Sequence, residues 1–236
     1  GGFTGGYQNA ELYSRWMQLG VFSPVMRAHG TGVPPEPIYY NNETRDIARE
    51  AIQMRYEFLP YNYTLSWEYS TRGIPPTRPM NYYNPNASLN TLDDQYFWGK
   101  DLLVAPIITE GAAQRMVVLP EGDWADYTTG EIYEGNQTIT ANANLNQIPL
   151  YLREGGFLVQ SIEKLDNTKD YDSDSIRIRH FIPSTNNSSS TNWYYDDGIT
   201  ANNIENNKYN LLSLKNSEQE DITEIELSKQ TDNLQS

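Results

Sequence analysis

Hydrophobic residues in the N-terminal part of the chain recur at helical spacing. Over 10–21 they fall three or four positions apart, which predicts a helix. A second pattern of the same period spans 44–70. Pro60 lies inside it and has no backbone N–H to donate, so we expect a kink or break near Leu59. Arg72-Gly73 should then end the helix.

Further along the chain, the period changes to that of β-strands. Apolar or alternating runs occupy 97–108, 116–119, 124–127, 132–133 and 148–159. Turns that contain glycine separate them, and short strands at this spacing predict an antiparallel β-sandwich. Beyond it, 176–182 and 193–195 have strand patterns and 185–191 is a Ser/Asn-rich loop. After Ile204 only weak alternation remains, at 211–214 and 222–227.

Length and charge narrow the classes of function. A chain of 236 residues is long enough for more than one domain, and 38% hydrophobic residues suffice for a packed core. The formal net charge is −14 and Lys and Arg form no cluster, which excludes a nucleic-acid partner and disfavours an anionic membrane surface. No apolar run reaches the ~18 residues of a membrane span. Neutral partners such as sugars remain compatible with this charge.

Cysteine and histidine usage restricts the chemistry further. The chain has no cysteine, which excludes disulfides and thiolate metal sites. Its two histidines, His29 and His180, support neither a zinc cluster nor a Ser–His triad, so we expect no metal and no cofactor. The absence of cysteine fits an exported bacterial protein and many cytosolic ones. Of these locations, the periplasmic or extracellular one is slightly favoured.

The segment 22–30 brings an arginine and a histidine together. It follows the first predicted helix, and Pro24 favours an extended backbone there. Residues two apart on an extended segment face the same side, so Arg27 and His29 could hydrogen-bond the hydroxyls of a neutral ligand. The alternative is an ordinary buried ion pair beside a core histidine, and residue types alone favour that alternative.

Acidic residues are the other candidates, because glycoside hydrolysis needs two carboxyl groups facing each other across the bond. The better-placed ones are Glu11, Glu36, Asp46, Glu57, Asp93, Asp94, Asp101, Asp196 and Asp197. Glu11 and Asp46 are explained as helix-start residues. Asp196-Asp197-Gly198 is explained as a turn. None of them forms a convincing catalytic pair.

Aromatic residues raise a second hypothesis, a non-catalytic carbohydrate-binding or structural β-domain. In that case Trp124, Trp193 and Tyr194 would be exposed sugar platforms. The alternative, in which each packs inside a core, is favoured by residue type.

A set of short motifs follows in one order along the chain. They are Gly1-Gly2-Phe3-Thr4-Gly5, 10–24 (AELYSRWMQLGVFSP), Arg27-Ala28-His29, 55–65 (RYEFLPYNYTL), Arg78-Pro79-Met80, 95–99 (QYFWG), 102–106 (LLVAP), 150–156 (LYLREGG) and 193–198 (WYYDDG). Together they resemble glycoside hydrolase family 31, which contains α-glucosidases, α-xylosidases and related transglucosylases. The resemblance covers about residues 1–200, and this many motifs in one order make it specific.

The resemblance implies an α/β part followed by all-β domains. The C-terminal part of a (β/α)8 barrel would occupy 1–90, a proximal antiparallel β-sandwich 91–165 and part of a distal β-domain 166–236. Gly1-Gly2-Phe3 would follow a barrel strand at the C-terminal rim, where such barrels place their active sites. The family's Asp directly before this motif is missing, so we expect a C-terminal fragment whose partner is the upstream part of its own barrel.

The resemblance also implies an activity. The family is retaining, with an Asp nucleophile and an Asp acid/base that would both precede Gly1, so no catalytic residue is assigned here. The parent would be an α-glucosidase acting on terminal α-linked glucose of neutral oligosaccharides, or alternatively an α-xylosidase or transglucosylase. The substrate-binding residues would be His29, which matches the family's sugar-binding histidine, Phe3, which matches an aromatic lining the site, and Arg27. Arg27 is expected to brace the loop rather than touch sugar.

Overall fold

The computed structural model describes residues 9–83, 85, 87–162, 165–183, 188–219 and 222–232. The chain divides into two compact units, and each is described by itself. The first comprises Gly1–Arg55, Thr77–Trp98 and Leu102–Tyr151. The second comprises Tyr56–Pro76, Gly99–Asp101 and Leu152–Ser236.

The helices lie where the periodicity predicts them. Helix α1 spans Ala10–Val21, α2 spans Asn42–Glu57 and α3 spans Leu59–Arg72. The expected break separates α2 from α3, because Pro60 occupies the first turn of α3, where a missing N–H costs nothing. Gly73 ends α3 in the left-handed conformation at φ 69°. Over the described ranges, no helix combines the length and apolar character needed to cross a bilayer.

Strands account for most of the remaining regular structure. In chain order they are β1 (Thr77–Arg78), β2 (Tyr96–Trp98), β3 (Leu102–Val104), β4 (Gln114–Leu119), β5 (Trp124–Asp126), β6 (Ile132–Tyr133), β7 (Gln137–Asn142), β8 (Leu150–Arg153), β9 (Phe157–Ser161), β10 (Ile176–His180), β11 (Ser189–Tyr195), β12 (Asn210–Gln219) and β13 (Ile222–Asp232). Sequence patterning missed β7, whose residues are mostly exposed and polar.

In the first unit, two sheets enclose one apolar core. The larger sheet has the order β1-β2-β3-β8-β5-β6, and the smaller pairs β4 with β7 in antiparallel fashion. Strand residues and neighbouring connections together form one buried cluster: Met80, Leu89, Phe97, Leu103, Ala105, Val117, Leu119, Trp124, Ala141 and Tyr151. Burying each large apolar side chain contributes roughly 1.5–3 kcal/mol. The predicted β-sandwich is therefore present.

In the second unit, α3 packs on β9 and β11. Strands β9 and β10 pair with each other, and β11, β12 and β13 form a three-stranded antiparallel sheet. Neighbouring residues on β11 point to opposite faces, as the pleat requires. Trp193 therefore joins Phe157 in one buried cluster, while Tyr194 stacks on Trp67 with ring centroids 5.7 Å apart.

Two expectations for the C-terminal part are wrong. The stretch 185–191 was expected to be a loop, but its last residues, 189–191, belong to β11. The weak pattern after Ile204 hides two long strands, β12 with 10 residues and β13 with 11. Buried polar residues explain the missing signal, because Ser213 interrupts the apolar pattern on one face of β12 and Asn216 interrupts it on the other.

Candidate functional site

The segment after α1 carries the Arg–His pair that the sequence singled out. Residues 25–30 have no regular secondary structure, and both Arg27 and His29 are exposed. A guanidinium nitrogen of Arg27, Nη2, lies 3.0 Å from Nδ1 of His29. The expectation that the two side chains face the same side is confirmed. The alternative of a buried ion pair beside a core histidine is wrong.

This contact assigns the tautomer of His29. A guanidinium can only donate hydrogen bonds, so Nδ1 must accept. The proton of the neutral imidazole then lies on Nε2. A ring with this tautomer can donate one hydrogen bond from Nε2 to an oxygen atom such as that of a hydroxyl group.

The start of the segment is shaped by the end of α1. A Cβ on Gly20 would lie 3.2 Å from Cγ of Met26, so the glycine lets the chain fold back closely against the helix. The hydroxyl of Tyr96 donates to the carbonyl oxygen of Phe22 at 2.8 Å. Burial raises the pKa of Tyr96, so this hydroxyl stays protonated at neutral pH.

Two further side chains hold the ends of the longer stretch 23–40, which contains Arg27 and His29. Arg55 of α2 donates to three backbone carbonyl oxygens near its start, at 2.6, 2.8 and 3.2 Å. Tyr13 of α1 donates to the carbonyl oxygen of Pro35 at 2.9 Å and stacks on Tyr40. Sequence reasoning assigned no role to Tyr13 or Arg55. No local signal marks them, because their partners lie 22 to 34 positions away in the chain.

The third predicted site residue, Phe3, lies outside the described residues, as does the rest of its glycine-rich motif. Its role stays a prediction.

Several of the acidic candidates act as structural acceptors. Glu11 accepts the backbone N–H of Gly111, with both carboxylate oxygens within 3.1 Å. It therefore ties α1 to a loop in addition to occupying the first turn of the helix. Asp101 is buried and accepts the amide of Phe157 at 3.3 Å. Its burial and backbone partner favour a structural role.

The predicted turn at Asp196 and Asp197 is also structural. Asp196 accepts the hydroxyls of Tyr63 and Tyr194 at 2.7 and 2.6 Å. Hydrogen bonds from Thr200, first from its hydroxyl and then from its amide, hold the pKa of Asp197 well below its usual range. Within the described ranges, no group of three or more His, Cys, Asp or Glu residues could hold a metal ion.

The proposed aromatic platforms are not exposed. Trp124, Trp193 and Tyr194 are 0%, 4% and 2% exposed. Trp124 stacks on Phe97 and donates from Nε1 to the carbonyl oxygen of Pro120 at 3.0 Å. Its ring and its N–H group therefore both have partners inside the core. The idea that these rings bind sugar is wrong, since strand alternation turns them inward.

Two protein-family models match this chain. Residues 1–65 match the model of the glycosyl hydrolases family 31 TIM-barrel domain, and 73–158 match that of the glycosyl hydrolase family 31 C-terminal domain. The chain belongs to glycosyl hydrolase family 31. The family 31 assignment confirms the expected fold class, a C-terminal part of a barrel followed by β-sandwich structure.

Individual family 31 relatives agree with the assignment. The chain is 31% identical to an alpha-xylosidase of Saccharolobus solfataricus, over 97% of this chain and 32% of the relative. It is 32% identical to alpha-glucosidase 2 of Bacillus thermoamyloliquefaciens, over 81% of this chain and 24% of the relative. A family 31 dextranase of Flavobacterium johnsoniae, solved with isomaltotriose, superimposes with a TM-score of 0.83 at 33% identity, covering 92% of this chain and 27% of the dextranase. The chain thus spans about a third or less of these proteins.

Proposed function

We propose that this family 31 chain is part of a retaining α-glucosidase that releases terminal α-linked glucose from neutral oligosaccharides. The observation that carries the proposal is the exposed, hydrogen-bonded pair of Arg27 and His29. In the motif Arg27-Ala28-His29, His29 matches the sugar-binding histidine of family 31. The relatives include alpha-glucosidases, and the net charge of −14 suits an uncharged substrate better than a nucleic acid.

In this proposal His29 binds a hydroxyl group of the sugar in the cleaved position. Nε2–H donates to the hydroxyl oxygen, while Nδ1 stays engaged by Arg27. A hydrogen bond that holds the sugar ring better in its transition-state geometry than in the ground state lowers the barrier rather than only KM. Arg27 contributes by fixing the tautomer and orientation of the ring. Phe3 is proposed to line the same site.

The two catalytic aspartates are proposed to lie outside this chain, on the preceding strands of its own barrel. A retaining mechanism needs a nucleophile and an acid/base with carboxyl groups ~5 Å apart. Glu11, Asp101 and Asp196 instead serve as structural acceptors, which supports the proposal that the catalytic aspartates lie outside this chain. The proposed domain limits are barrel over 1–90, proximal sandwich over 91–165 and part of a distal domain over 166–236.

A second candidate within the family is an α-xylosidase, since a relative that matches 97% of the chain has that name. A transglucosylase is a third, because a 1,6-alpha-glucosyltransferase of Sporosarcina globispora is 31% identical over 85% of the chain. The rates of the full-length protein on p-nitrophenyl α-glucoside and α-xyloside separate the first two. Longer products formed from maltose would indicate transfer.

The role of His29 is tested in the full-length enzyme. We expect His29→Ala to lower kcat/KM on the α-glucoside about 10- to 100-fold, the effect of losing one hydrogen bond that positions the sugar in the transition state. Arg49→Ala is the matched control, because Arg49 is an exposed residue of α2 that forms an ion pair with the exposed Asp46. Unchanged kcat/KM in His29→Ala would contradict the proposal.

The isolated 236-residue chain should show no turnover, and robust hydrolysis by it would place the catalytic carboxylates inside the chain.

A further inference from the structure

Side-chain hydrogen bonds hold the segment Ser23–Tyr40, here called the site segment, near both of its ends. Its middle carries Arg27 and His29 and has no regular strand or helix. We propose that Tyr13 and Arg55 are positioning residues that clamp the two ends of the site segment and so place the imidazole of His29. This inference rests on the proposed function of His29.

Arg55 clamps the first end. Its Nη1 donates to the carbonyl oxygens of Val21 and Ser23, and its Nη2 to that of Pro24. The carbonyl of Val21 belongs to the last turn of α1, where helix carbonyls lack intrahelical partners and carry partial negative charge, and those of Ser23 and Pro24 follow directly after it. The last turn of α1 contains no basic residue of its own. The cation that this helix end favours is therefore supplied from α2.

A lysine could not replace Arg55 in this geometry. The guanidinium is planar and presents several N–H groups in a fixed fork, so one side chain reaches all three carbonyls. An ammonium group is a point charge that would satisfy them less completely. Arg55→Lys thus keeps the charge and removes the fork.

Tyr13 clamps the second end. Its hydroxyl donates to the carbonyl oxygen of Pro35 at 2.9 Å, and its ring stacks on Tyr40 with centroids 4.1 Å apart and planes at 24°. Burial, with smaller contributions from Tyr40 and Glu36, raises the pKa of Tyr13 to about 12. The hydroxyl is therefore a donor throughout the neutral range. Tyr13→Phe removes this donor and keeps the stacked ring.

The clamps matter because the backbone between them has to be ordered before His29 can bind. Fixing each residue of an irregular segment costs roughly 1–2 kcal/mol of conformational entropy, and the end contacts lower the number of conformations available. A displacement of about 1 Å in a substrate-positioning group is enough to lower a rate by about 100-fold. Loosening one end should therefore affect catalysis before it affects overall stability.

A double-mutant cycle in the full-length enzyme tests the inference. Tyr13→Phe and Arg55→Lys are each measured in the native and the His29→Ala backgrounds, with Tyr133→Phe as control. Tyr133 suits this purpose because its hydroxyl donates to the exposed carboxylate of Glu131, which is not part of the site segment. In the native background we expect each clamp variant to lower kcat/KM about five- to tenfold, mostly through kcat, with the melting temperature nearly unchanged.

In the His29→Ala background the same substitutions should change kcat/KM less than twofold, because the group they position is gone. Equal factors in both backgrounds, or no loss in the native one, would overturn the inference while leaving His29 as a substrate ligand. If His29→Ala itself has no effect, the proposed function fails instead. A loss confined to the melting temperature would show a structural role only and would overturn the positioning role.

Discussion

The guanidinium Nη2 of Arg27 lies 3.0 Å from Nδ1 of His29, so the arginine sets which ring nitrogen carries the proton. The other histidine of the chain has the opposite arrangement. Nδ1 of His180 faces the carbonyl oxygen of Gly156 at 2.8 Å, and a carbonyl can only accept. The two histidines are therefore expected to be opposite tautomers, Nε2–H in His29 and Nδ1–H in His180.

This difference is measurable by the ring ¹⁵N shifts of the labelled chain, which has only these two histidines. Arg27→Met should let His29 populate both tautomers and leave the signals of His180 unchanged. A His29 ring that stays with the proton on Nε2 after the substitution would show that Arg27 does not control it. His180 serves as the internal reference.

A second prediction concerns Gly99, which lies against α3. At φ 70°, a Cβ on Gly99 would overlap the hydroxyl of Tyr61 and lie 2.9 Å from Cδ2 of Leu65. Gly73 is a matched control, because it has φ 69° and open space around the same position. We expect Gly73→Ala to lower the free energy of unfolding by about 1 kcal/mol and Gly99→Ala by about 2–4 kcal/mol.

Urea titrations of both variants measure the difference. Because the two glycines share the same backbone strain, any excess at Gly99 reports the packing of α3. Equal losses at the two positions would contradict the close approach to Tyr61.

A third prediction concerns pH. His180 stacks on Phe157 with ring centroids 3.8 Å apart, and burial lowers its pKa below 6.5, against opposing hydrogen bonds with Gly156 and Asn216. The unfolded chain takes up the proton near pH 6.5, whereas the folded chain does so only at lower pH. The stability that the neutral ring contributes is therefore present above pH 6.5 and is lost as the pH falls from 6.5 through the folded pKa.

Denaturant midpoints between pH 7.5 and 5 measure this effect. The native chain should lose stability over that window, and His180→Gln should lose less, because glutamine does not titrate. A steeper or equal loss in His180→Gln would assign the pH dependence to other groups.

A fourth prediction separates core packing from sugar binding at Trp124. Trp124→Phe removes the Nε1 bond to Pro120 and part of the buried ring, so we expect a loss of about 1–3 kcal/mol in the free energy of unfolding. Calorimetric titration with maltose should be unaffected by the substitution. Ile132→Ala is the exposed control on the neighbouring strand, with little effect on stability expected. A change in maltose binding with unchanged stability would contradict the core-packing role and show that Trp124 contributes to sugar binding.

The local sequence was sufficient to predict most elements. Helix α1 has the bounds that the periodicity gives, and Pro60 and Gly73 mark the break and the end of the following helices, because each acts through its own backbone. The order of short motifs was sufficient to indicate the family. β12 was underestimated because Ser213 and Asn216 are polar yet buried, and a local pattern does not show what lies across a sheet.

The sequence by itself determined the periodicities, the turns and the residues of the Arg27–His29 pair, all of which depend on neighbours within a few positions. Only the tertiary structure decided that this pair is exposed and that Trp124 is buried. It also decided that Arg55 and Tyr13 hold the ends of the site segment, since those contacts join residues 34 and 22 positions apart. Burial and distant hydrogen bonds are set by packing, and packing exists only once the chain has folded.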